Sequence, residues 1–190
     1  MFKVHTRNEF IRSYQAGARD FQHTILTAVN LTGSNLEKIN LNGSNLIEVN
    51  CTNCNLDRAS LEKAYLGLSN FQNCRLSAVN FREANLEEAN LSQANLENAD
   101  LSMANLAKAN LKGANLRGAN LEKTCLTGAI YNSTTVFDSD FVPQLTGMIL
   151  SDPYPQPVKS PQLPKNNQSQ GAIAKIRSWC QPTKFSLDRI

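Results

Sequence analysis

Cys51 and Cys54 stand three residues apart in CTNC, the spacing in this chain that could begin a metal site. Structural zinc needs four Cys or His ligands at set spacings. The other cysteines are Cys74, Cys125 and Cys180, and the two histidines, His5 and His23, fall in no H-x3–5-H arrangement. Both members of the pair instead keep step with the apolar pattern around them, so they read as small buried residues. The rest of the chain offers no nucleophile–base pair, no glycine loop to cradle a phosphate and no ligand cluster. Its carboxylates fall in slots that should face water. No catalytic residue, metal, cofactor or small-molecule substrate is expected, and the chain should not be an enzyme.

The pattern that positions these residues has a period of five. From Phe21 to Leu126, 22 central positions are in step, of which 18 are Leu, three are Phe (Phe21, Phe71, Phe81) and one is Cys51. An α-helical step of five advances about 500° and winds the leucines around the axis. A flat strand alternates sides, so an odd step also breaks the face. The chain must therefore turn a corner in every unit. Ala84 and Leu86, two apart, point to one side of a short extended piece, and Glu87–Glu88 and their equivalents make the corner. Repeated, this closes into a solenoid in which each coil buries its apolar face against the next. Asn precedes the centre in 15 of the 19 slots from Asn30 to Asn120, the exceptions being Ser60, Tyr65, Arg75 and Asp100.

Units such as Ala84–Glu88, written [S/T/A/V]-N-L-x-x, resemble the pentapeptide-repeat family over residues 19–141. The resemblance implies an all-β fold, a right-handed quadrilateral β-helix with four units per coil and about six coils. Charges 20 apart are consistent with this (Glu62 and Arg82, Lys63 and Glu83, Glu88 and Lys108, Glu97 and Arg117), but Glu37 and Asp57 are also 20 apart. A three-unit coil pairs charges comparably, so the residues alone leave the number of sides open. If a coil is four units, Cys54 and Cys74 stack at about 4.8 Å.

Thr6, Glu9 and Gly17 frame a short helix with Phe10, Ile11 and Tyr14 on one side, so residues 1–18 should cap one end of the rod. GARDF, Gly17 to Phe21, resembles the coil entry of cyanobacterial family members. Leu126 to Met148 resembles their closing segment, with Asp138 where they usually carry proline after the phenylalanine. Residues 142–150 should cap the far end. After Leu150, the five prolines between Ser151 and Gly171 mark an extended linker without a core, leaving a mostly disordered C-terminal tail. Within it Ile173, Ile176 and Trp179 would share one face of a short helix beside Lys175 and Arg177, a candidate docking peptide for a partner or an anionic membrane.

The net charge of +3 divides into +2 over residues 1–20, −3 over 21–141 and +4 over 142–190. No apolar run approaches the roughly 20 residues of a membrane span, and the N-terminus lacks the apolar stretch of a signal peptide. A soluble cytoplasmic protein is expected, with a monomer favoured. Four apolar residues break the polar surface pattern. With four faces per coil, Ile47, Tyr65 and Leu68 fall on one face, with Met103 near its corner. The reading is a non-catalytic protein–protein interaction module, a regulatory or scaffolding adaptor with an unidentified protein partner. The alternative, carried by another branch of the family, is a DNA mimic that binds DNA gyrase or another DNA-binding protein. Charge argues against that alternative, and the sparse basic residues after position 141 disfavour nucleic-acid binding by the tail.

Overall fold

The computed structural model describes residues 6–152. Its unit is a four-residue turn followed by one bridging residue. The N–H of the fourth turn residue donates to the carbonyl of the first, as Ala84 does to Phe81 at 3.0 Å and Ala94 to Leu91 at 3.1 Å. The third residue takes a left-handed conformation, with φ near 59° at Lys38, Arg58, Leu68 and Glu88. This turns the corner of the coil within two residues and leaves both the central Leu and the small residue two before it facing inward. Leu86, Ala89, Leu91 and Ala94 are all buried.

The bridging residues set the coil. Asn30 pairs in parallel with Asn50, then Asn70, Asn90, Asn110 and Ile130, so the chain returns to the same column after every fourth unit. Three other columns begin at Asp20, Ile25 and Asn35, giving four bridges to the coil. A coil of three units is therefore excluded. At about 4.8 Å per coil the six coils make a rod roughly 29 Å long.

Asparagine dominates the bridging slot because its side chain serves both the turn and the stack. In Asn90 the Oδ1 accepts from the Ser92 N–H at 3.1 Å and from Asn110 Nδ2 at 3.2 Å, while its own Nδ2 donates to Asn70 Oδ1 at 3.2 Å. The local bond is an Asx turn that holds the corner, and the other two run along the rod.

The helix α1, Arg7–Gln15, closes one end. Thr6 and Glu9 form a reciprocal capping box, and Phe10 packs on Phe21 with ring centroids 4.8 Å apart. The Tyr14 hydroxyl donates to the Glu37 carbonyl at 2.9 Å. At the other end the ladder slips by one residue, with Asn115 opposite Val136. Strand β1, Ile130–Tyr131, then pairs with β2, Ile149–Leu150, in parallel, and a 3-10 turn over Pro143–Leu145 lies between them. Phe137 stacks on Phe141 there and meets Tyr131 edge-on. The expected tail beyond Asp152 lies outside the described residues.

Candidate interaction face

The interior holds the groups that could have done chemistry, and it seals them. Cys51, Cys54 and Cys74 are buried and unpaired. The Cys54 thiol donates to the Leu31 carbonyl at 2.9 Å and the Cys74 thiol to the Cys51 carbonyl at 2.7 Å. Hydrogen bonding with Cys54 and burial together hold Cys51 and Cys74 above the ordinary thiol range. They are protonated fillers of the core. Among the described residues no group of three or more His, Cys, Asp or Glu is placed to hold a metal ion. Asp57, the most buried carboxylate among the described residues, is bound by the Arg75 guanidinium and by the Ser77 N–H at 2.9 Å, so it fastens neighbouring coils.

The surface is a grid of columns in which each residue stacks on its equivalent one coil away, and one face differs from the others. Its bridging column runs Ile25, Asn45, Tyr65, Asn85, Asn105, Cys125. Its turn residues are Thr27–Ala28, Ile47–Glu48, Gly67–Leu68, Glu87–Glu88 and Ala107–Lys108. Backbone bonds between these turns, from Glu48 N–H to the Gly67 carbonyl and from Leu68 N–H to the Glu87 carbonyl, both 3.0 Å, keep them in line.

The structure brings Ile47, Tyr65 and Leu68 together on this face. Leu68 is 55% exposed, while Ile47 and Tyr65 are half-buried. Met103, 44% exposed, lies on the neighbouring turn column with Lys63 and Glu83, two coils farther along. Sequence reasoning missed Ile25, which is 54% exposed and heads the same column as Tyr65. The signal was present, since position 25 is a bridging slot where Asn is the rule. Leu145 adds a further exposed apolar side chain two residues before Gly147, whose carbonyl accepts from the Gly128 N–H of this face. Ile173, Ile176 and Trp179 lie outside the described residues.

The electrostatics of the face are mildly acidic. Lys108 Nζ meets Glu88 at 2.8 Å and Glu87 at 3.9 Å, and the bond to Glu88 holds its ammonium above its ordinary value. Glu48, between Ala28 and Leu68 in its column, makes no ion pair among the described residues. An apolar stripe with a free carboxylate beside it can take up an apolar, basic segment. It has no acid–base machinery.

The fold thus defines a β-solenoid with a closed apolar interior and its variation on the outside. The family described as "Pentapeptide repeat region" matches residues 44–121, and "Pentapeptide repeats (8 copies)" matches residues 24–62. The crystal structure of a pentapeptide repeat protein, Rfr23, from the cyanobacterium Cyanothece 51142 is 32% identical, covering 69% of this chain and 98% of that one, with a TM-score of 0.50. HetL from the cyanobacterium Nostoc sp. strain PCC 7120, a pentapeptide repeat protein involved in heterocyst differentiation regulation, is 23% identical over 80% of this chain and 94% of that one (TM-score 0.34). A second Nostoc PCC 7120 pentapeptide repeat protein, alr5209, is 28% identical over 80% and 100% (TM-score 0.29). No curated protein gave a match. The chain belongs to the pentapeptide-repeat family, and its rod is a right-handed β-helix.

Proposed function

We propose that this protein is a non-catalytic protein–protein interaction module, a regulatory or scaffolding adaptor whose four-sided, quadrilateral rod presents one face to a protein partner. The observation that carries this is the gathering of Ile25, Ile47, Tyr65 and Leu68 on neighbouring coils of one face. Elsewhere the bridging column is Asn in most coils and the turns are largely polar. Buried aromatic and branched aliphatic anchors concentrate binding energy at interfaces. A stiff backbone ladder also holds such anchors in place before a partner arrives, which lowers the entropic cost of binding.

The mixed charge supports this reading over a DNA mimic. A surface that stands in for phosphate must be strongly negative. Residues 21–141 instead carry nine basic against twelve acidic side chains, with Lys108, Lys112, Arg117 and Lys123 grouped at the distal end.

The test is affinity capture from source-cell lysate with the full chain, compared with Ile47→Ser/Leu68→Asn. A defined protein retained by the first and lost by the second supports the adaptor. Identical eluates from both would remove the face from the account.

A further inference from the structure

We infer that the apolar face is covered, in the free protein, by the chain's own C-terminal segment, residues 171–190, with Ile173, Ile176 and Trp179 against Ile25, Ile47 and Leu68. The inference deepens the adaptor reading and rests on it for the identity of the face: a partner would have to displace the tail.

Four observations lead there. First, the exposed large apolar side chains among the described residues are Ile25, Leu68, Met103, Leu145, Ile149 and Leu150. Ile25 and Leu68 lie on this face in the first three coils, Met103 stands at its corner and Leu145 at its last coil, while Ile149, which pairs with Ile130, lies on the neighbouring face where the described chain leaves the rod.

Second, the length fits. The stretch from 153 to 172 precedes Ile173, and fully extended it reaches up to about 60 Å. Leu145 and Leu68 are four coils apart, about 19 Å. The segment can lie along the face without strain. A tether of this kind also gives an effective concentration of about 1 mM, so even a weak contact stays mostly closed.

Third, the charges are complementary. Residues 153–190 carry six basic side chains and one acidic, a net +5. The face carries Glu48, Glu87 and Glu88 against Lys108, and Lys108 is already engaged by Glu87 and Glu88. Lys175 and Arg177, on either side of Ile176, would find Glu48 beside Leu68.

Fourth, the tail carries apolar side chains of the kind the stripe can bury. The chain's single tryptophan is Trp179, which follows Ile173 and Ile176 at helical spacing. A two-ring side chain gains most from an apolar strip with a polar rim.

That single tryptophan is also the probe. Acrylamide quenching of Trp179 is measured in the full-length protein and in full-length Ile25→Asn/Leu68→Asn. Both substitutions install the residue those backbone positions favour: Asn is the rule in the bridging slot, and Asn tolerates the left-handed φ of 59° at Leu68. The fold is thereby spared, and circular dichroism verifies it. Arg58→Asn, half a coil away at the same kind of left-handed position, is the control. The expected result is that the wild type and Arg58→Asn are quenched about threefold less than the double variant, independent of protein concentration. Equal quenching in all three overturns the inference. Protection that grows with concentration would assign the face to a second copy, and release by Arg58→Asn would move the contact off this face; either also overturns it. Trp179 protected with no partner captured leaves docking standing and the adaptor fallen. A captured partner with Trp179 equally quenched throughout does the reverse.

Discussion

The imidazole of His23 lies against the α-carbon of Gly43: a Cβ placed on Gly43 would stand 2.7 Å from both Cε1 and Nδ1 of the ring. The two residues occupy the same turn slot in successive coils. Gly43 is also left-handed, with φ +63°. Gly43→Ala should therefore lose about 1–2 kcal/mol for the left-handed backbone, the exposed imidazole of His23 swinging aside at little further cost. Urea unfolding of Gly43→Ala reads this directly, and an unchanged midpoint would contradict the backbone assignment.

The core is a line of interlocked leucines, so its energetics should follow cavity formation. Leu91 is fully buried in the column of Phe71 and Leu111. Leu91→Ala should destabilise the rod by about 2.7–5.0 kcal/mol. A change under about 1 kcal/mol by denaturant titration would mean that neighbouring coils close over the gap.

The raised thiols make an alkaline prediction. Below the ordinary thiol value of 9.0, Cys51 and Cys74 are protonated both folded and unfolded, and their contribution is fully present. As pH climbs past it, the unfolded thiols ionise while the folded ones keep their protons. The folded state then binds more protons, so stability falls with rising pH, by about 1 kcal/mol per pH unit for each thiol. Cys51→Ala/Cys74→Ala should flatten the profile between pH 8 and pH 10, roughly the window of unfolded-thiol ionisation. An unchanged slope would contradict the assignment. Because all three are buried, iodoacetamide should reach Cys51, Cys54 and Cys74 only in denaturant.

Leu68 is a branched side chain at φ 59°, held there by the turn and not by its own preference. Leu68→Asn should leave thermal stability unchanged or raise it by a few tenths of a kcal/mol. A large loss would mean that Leu68 supports the rod. Its exposure would then have another explanation than contact with a segment or partner.

The period of five, the inward residues and the helical cap were legible because each is a local property: which residue turns, which is small, which caps. Coil length was less so. It is set by which backbone groups pair from one coil to the next, and the side chains report that only indirectly. Lys63–Glu83 and Glu88–Lys108 do meet across the coil. Glu62 turns instead to Lys63, Arg82 to Glu83, and Asp57 reaches diagonally to Arg75. Long charged side chains at a corner have several neighbours in reach, so their spacing is a weak ruler. The face was visible as Ile47, Tyr65 and Leu68, yet Ile25 escaped because the Asn column was counted from Asn30. What binds the face was not legible: leucine in every fifth position specifies the inside, and four apolar residues carry what the outside says.

This face, and no other, is proposed to meet a protein partner. A photo-crosslinking amino acid is placed at Leu68 in one full-length protein and at Arg58 in another, and each is irradiated in source-cell lysate. A discrete intermolecular adduct is expected from position 68 and none from position 58. Adducts from both positions alike, or from position 58 alone, would contradict the proposal.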